Sequence, residues 1–101
     1  MVDSLRSRSH HIEVVWSRLE AQQFGARVRQ LRTQSSLTQE QLAHLVGLTQ
    51  NHVQLIEAGR NTSKVDGPAS NPRMTTLYRI ADAFGLSPHE LLPASSAAPD
   101  D

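Results

Sequence analysis

Cysteine is absent from this chain of 101 residues, which excludes disulfides, thiol nucleophiles and thiol redox sensing. Aromatic side chains are almost as scarce, with one Trp, one Tyr and two Phe. A core must therefore be closed by Leu, Val, Ile and Ala, which suits a small helical bundle with room for one domain. No apolar run approaches the roughly 18 residues of a membrane-spanning helix, and Arg6 and Arg8 near the start lack the apolar stretch of a secretory signal. The expectation is a cytoplasmic protein with no membrane role. Net charge is missing too: ten Lys plus Arg balance ten Asp plus Glu. A neutral chain lacks the long-range attraction that supports strong nonspecific binding to polyanions.

The chemistry of an enzyme is also lacking. There is no glycine-rich phosphate loop and no Ser, His and Asp set that stands out. His10 and His11 are adjacent, while His44, His52 and His89 fall on separate segments without ligand spacing, so surface histidines are expected and a metal site is not. The sequence is read as a non-enzyme with no catalytic residue, cofactor or metal.

What is present is concentrated between Leu37 and Gly59, LTQEQLAHLVGLTQNHVQLIEAG. Thr38 can cap a helix opening at Gln39, and Gln41 can reach back to the Thr38 amide, which completes a capping box. Leu42, Ala43 and Val46 form its apolar face, and Gly47 supplies the positive φ that ends it. Thr49 then repeats the cap signal. Val53 and Ile56 give a second apolar stripe on a helix that ends at Ala58 and Gly59, which leaves Gln50, Asn51, His52 and Gln54 as polar surplus. Amides crowded into a first turn match the side of a recognition helix that meets base edges.

These residues carry a resemblance. The segment from Phe24 to Leu92 resembles the phage-repressor and Cro type of helix-turn-helix, the XRE family. The marks are Phe24-Gly25, Val28 and Leu31; Leu37-Thr38-Gln39-Glu40; Leu42-Ala43; the Gly47 turn; Ile56-Glu57 and Gly59; Asn71-Pro72; Leu77, Ala81, Phe84-Gly85 and Ser87. The resemblance implies an all-α fold, a five-helix lambda repressor-like DNA-binding bundle, with an additional N-terminal helix in this chain.

The rest of the chain divides around that core. Residues 1–20 read as an N-terminal extension, in which Ile12, Val15, Trp16 and Leu19 make His10 to Ala21 an amphipathic helix that packs either on its own bundle or on a second subunit. A bend or a change of packing partner is expected near Gln22 to Gly25, because the stripe does not continue in phase to Phe24. Residues 21–92 form the helix-turn-helix domain. Within it, 59–73 is an extended loop, longer than the family's connection by roughly nine residues and without periodicity. Ser87-Pro88-His89-Glu90 is a capping box that opens a last turn burying Leu91 and Leu92. Residues 93–101 read as a disordered tail.

Site residues follow from chemistry and from the resemblance together. Gln50 and Asn51 occupy positions where the family reads bases, and a side-chain amide bonds adenine bidentately. Leu55 aligns with another groove-facing position; it touches a thymine methyl, is half buried, or is part of an interface. For His52 a phosphate or guanine contact and an exposed spacer both stand. Gln39 matches a phosphate-binding position at a helix start, and Thr49 can serve as cap and as phosphate donor. Arg60 is read as a phosphate contact, and Lys64 as either a contact or part of a solvated loop. By resemblance, Arg32 and Glu57 form a partly buried ion pair between the first helix and the recognition helix.

Between Ala21 and Leu92 the basic residues Arg27, Arg29, Arg32, Arg60, Lys64, Arg73 and Arg79 outnumber the acidic Glu40, Glu57, Asp66, Asp82 and Glu90. The expected function is a sequence-specific DNA-binding transcriptional regulator, a repressor, bound as a homodimer to double-stranded DNA at a palindromic operator. A variant is an antitoxin that autoregulates its operon and binds a protein partner. A reading from another class is a protein-binding adaptor that uses the bundle without DNA.

Overall fold

The computed structural model describes residues 16–93. Five helices follow one another: α1 Arg18–Gln34, α2 Gln39–Val46, α3 Gln50–Ala58, α4 Met74–Ala83 and α5 Pro88–Leu91. Among the described residues there is no strand, only an isolated antiparallel bridge between Arg60 and Ala69. No helix of the described residues is long and apolar enough to cross a membrane.

Local chemistry sets the helix ends. The Thr38 hydroxyl accepts the Gln41 amide at 3.0 Å and the Gln41 side chain accepts the Thr38 amide at 2.8 Å, so α2 opens on a reciprocal capping box. Gly47 closes it in the left-handed region, φ 72°, and Leu48 N–H returns to the Ala43 carbonyl at 2.9 Å. The Thr49 hydroxyl then caps α3 by accepting the His52 amide at 3.1 Å. α5 begins with Pro at its first turn, and Ser87 N–H donates to Glu90 at 2.8 Å.

One core gathers Phe24 and Val28 of α1, Leu42, Ala43 and Val46 of α2, Val53 and Ile56 of α3, Leu77, Ile80 and Ala81 of α4, and Leu91 of α5. Each large apolar side chain buried here contributes roughly 1.5–3 kcal/mol. α3 therefore rests with Val53 and Ile56 inward, and its other face is left to solvent.

The N-terminal region departs from the sequence expectation. Residues 1–15 of the expected extension, and the tail beyond Pro93, lie outside the described residues. Within the described part, Trp16 and Ser17 are not helical, and α1 starts at Arg18. The cause is a second capping box: the Ser17 amide donates to Glu20 Oε1 at 3.0 Å, and the Ser17 hydroxyl bonds the same oxygen. The helix runs unbroken through Gln22 to Gly25. Ala21, Phe24 and Val28 carry one continuous buried stripe, whereas Leu19, expected on the apolar face, is 52% exposed. The division drawn between residues 20 and 21 thus falls inside α1. Trp16 packs on its own bundle, edge to face with Phe24 at 5.8 Å and 67°. Leu92, expected inside, is exposed, because the chain turns extended after Leu91.

The loop between α3 and α4 is also more ordered than a stretch without periodicity suggests. Asn61 N–H bonds the Pro68 carbonyl at 2.8 Å and Ser70 N–H bonds the Gly59 carbonyl at 3.1 Å, folding the segment back on itself beside the bridge. Backbone pairing of this kind leaves no trace in hydropathy.

Candidate nucleic-acid interface

The surface of interest is the outer face of α3. Gln50, Asn51, His52 and Gln54 are exposed on it, and Leu55 is half buried. The side chains of Gln50, Asn51 and His52 make no hydrogen bond to a described residue, so their donors and acceptors are open to a ligand. Thr49 accepts a hydrogen bond in its cap, which leaves its O–H free to donate.

The C-terminal end of α3 is held by a polar knot. Arg32 of α1 grips Glu57 with two parallel bonds, Nε to Oε2 at 2.6 Å and NH2 to Oε1 at 3.0 Å. The third guanidinium nitrogen donates to the Leu37 carbonyl at 2.8 Å. Both side chains are shielded, at 12% and 4% exposure for Arg32 and Glu57. The hydrogen bonding that Arg32 donates to Glu57, more than the charge of Glu57, raises the Arg32 pKa above its ordinary value against the opposing pull of burial.

Gln39 enters the same knot, donating from Nε2 to Glu57 Oε1 at 3.1 Å. Sequence reasoning missed this link. It leaves the second amide N–H of Gln39 free to donate to an anion at the start of α2. The Gln39 amide and the buried ion pair are thereby joined, and α1, α2 and α3 meet at one carboxylate.

The loop supplies a second wall. A cleft of about 300 Å³ runs between Thr49, Asn51, His52 and Leu55 on α3 and Arg60, Asn61, Asn71 and Pro72 on the loop. Arg60 is half buried, and its NH1 donates to the Ser63 carbonyl at 3.3 Å. Lys64 is exposed and does not line the cleft. Asn61 belongs to the stretch Arg60 to Lys64 that the sequence offers to phosphates, and Asn71 is there only a family mark, without a contact. Among the described residues no group of His, Asp and Glu is arranged to hold a metal ion.

A helix-turn-helix domain family matches residues 23–94. The chain belongs to that family. Its helix-turn-helix shares 32% identity over 75 residues with the HTH-type transcriptional regulator y4dJ of Sinorhizobium fredii, covering 74% of this chain and 86% of that one. Among solved structures, it is similar to the restriction-modification controller protein C.AhdI from Aeromonas hydrophila. The TM-score is 0.59 at 31% identity, over 73% of this chain and 98% of C.AhdI. It also shares its fold with SinR, the master regulator for biofilm formation, solved in complex with DNA. There the TM-score is 0.54 at 22% identity, over 67% of this chain and 95% of SinR. The fold is thus all-α and of the helix-turn-helix regulator type, with α2 and α3 as the two helices of the motif.

Proposed function

We propose that the protein is a transcriptional regulator that reads duplex DNA with α3. The observation that carries this reading is the pair Gln50 and Asn51, exposed and without a side-chain hydrogen bond to any described residue, at the start of a helix whose back is buried through Val53 and Ile56 and whose end is tied through Glu57. Neutral amides held rigidly suit adenine N6 and N7 in a major groove. SinR, which shares the fold, is a DNA-bound regulator, and C.AhdI is a controller protein; both names favour the same class. The protein acts by binding and not by catalysis, in the cytoplasm, where its operator lies.

The regulator works as a homodimer on a palindrome. Met74 and Tyr78, one turn apart on α4, are 68% and 58% exposed and offer apolar surface to a second copy. Two α3 helices then enter successive major grooves about 34 Å apart, and occupancy represses transcription by blocking polymerase. Gln39 and Thr49 approach phosphates at the two helix starts, Arg60 and Lys64 approach the flank, and His52 and Leu55 complete the groove face.

The neutral net charge favours one other reading, a protein-binding adaptor. Selection of bound duplexes from a random pool, with the Gln50→Ala, Asn51→Ala double variant beside the wild type, separates the two. A palindrome recovered by the wild type alone supports DNA reading; no enrichment from a folded protein supports the adaptor.

A further inference from the structure

The loop wall of the cleft is tied down from outside the helix-turn-helix. The Trp16 indole N–H donates to the Ser70 carbonyl at 2.6 Å, and Arg18 NH2 donates to the Gly67 carbonyl at 3.1 Å. Both donors precede residue 23, where the family match begins. Ser70 is only 4% exposed, and its own N–H bonds Gly59 at the end of α3. The loop is therefore gripped from the α1 side by Trp16 and Arg18 and from the α3 side through Gly59 and Asn61. Trp16 is in turn fixed by its edge-to-face contact with Phe24 in the core. These ties set where Asn61 and Asn71 stand, across the cleft from Asn51 and His52. Both asparagines are exposed, and their side chains make no hydrogen bond to a described residue.

We propose that Trp16 and Arg18 are positioning residues. They clamp the 59–73 loop as a fixed second wall beside α3, so that Asn61 and Asn71 contact the duplex at the flank of the bases α3 reads. This rests on the DNA-reading function above. A loose loop would lose entropy on each binding event, whereas a clamped one presents its amides ready oriented. The amides are neutral, so their contribution is hydrogen bonding without counterion release and does not alter the salt dependence. Arg60, at the base of the same loop, supplies the charge.

The test uses the full chain and the duplex recovered by selection. Asn61→Ala with Asn71→Ala should weaken binding by about fivefold per amide lost, with an unchanged salt slope. The decisive comparison repeats those changes in a Trp16→Phe background, which removes the indole donor and keeps an aromatic ring on Phe24. There the asparagine changes should cost little, because the loop is already released, and footprint protection should fade at the flank while the centre of the site stays protected. Arg18→Ala, which removes the guanidinium bond to the Gly67 carbonyl, should act in the same direction and covers the case in which Trp16→Phe does not fold. Equal asparagine costs in clamped and unclamped backgrounds, or an unchanged flank footprint, overturn the proposal. If the wild type binds no duplex at all, the DNA-reading function itself falls and the proposal with it.

Discussion

Gly25 of α1 lies directly against the Ile56 carbonyl of α3. A Cβ at this position would collide with that oxygen and would stand 2.7 Å from the carbonyl oxygen of Glu57. Both obstacles are backbone, so neither can swing aside. Gly25→Ala must therefore push α1 away from α3 and open the core around Phe24 and Ile56. Overpacking of this kind costs about 1–3 kcal/mol, and the upper part of that range is expected here. Urea unfolding of the variant checks it; an unchanged midpoint would mean that the helices do not approach this closely.

Removal of Arg32 should be felt in stability before specificity. Arg32→Met strands the Glu57 carboxylate, 4% exposed, with only the Gln39 amide of these partners left. The expected loss is about 3 kcal/mol. Gln39→Ala removes one hydrogen bond of the same knot and should cost nearer 1 kcal/mol. Denaturant midpoints measure both. A variant that retained wild-type stability while changing base preference would contradict the assignment.

Base and phosphate contacts should separate in salt titrations of duplex binding. Gln50→Ala or Asn51→Ala should each reduce discrimination by about 1–3 kcal/mol and leave the salt slope as it was. Arg60→Ala or Lys64→Ala should weaken binding to all sequences alike and lower the slope by about 1 each. Binding isotherms from low to moderate salt on the selected duplex and a scrambled one provide all four comparisons.

The α5 cap gives a pH dependence of defined sign. The Ser87 backbone amide, helped by the Ser87 hydroxyl, holds the Glu90 carboxyl below its ordinary pKa. Glu90 thus contributes stability above the unfolded carboxylate value, and that part disappears as pH falls through the lower folded value. Glu90→Gln keeps the cap geometry and removes the charge. The stability difference between wild type and variant should be present at neutral pH and vanish in acid; a difference that persists at low pH would point to packing instead.

Sequence pattern was most informative where chain neighbours decide the outcome. The caps at Thr38 and Thr49 and the Gly47 turn involve residues a few positions apart, and the helices they bound stand at Gln39–Val46 and Gln50–Ala58. At Trp16 and Ser17 the N-terminal reading was overturned for a related reason. Two local signals competed, the periodicity of Ile12, Val15, Trp16 and Leu19 and the Ser17 to Glu20 capping box, and at Trp16 and Ser17 the box prevails. The bond from Trp16 to Ser70 spans 54 positions and ends on a carbonyl, so no side-chain pattern could announce it. Gln39 shows the remaining limit: its place at a helix start was visible, but its bond to Glu57 depends on how three helices converge.

The restraints on α3 are spread unevenly along it. Val53, Ile56, Glu57 and the Gly59 cap anchor the later part, whereas Gln50, Asn51 and His52 project from the first turn with only the Thr49 cap beneath them. The helix is a cantilever, clamped at one end and carrying the proposed reading groups at the other. Under that proposal stability and selectivity reside in different side chains, so the free end can be rewritten for a new target while the clamp continues to hold the fold.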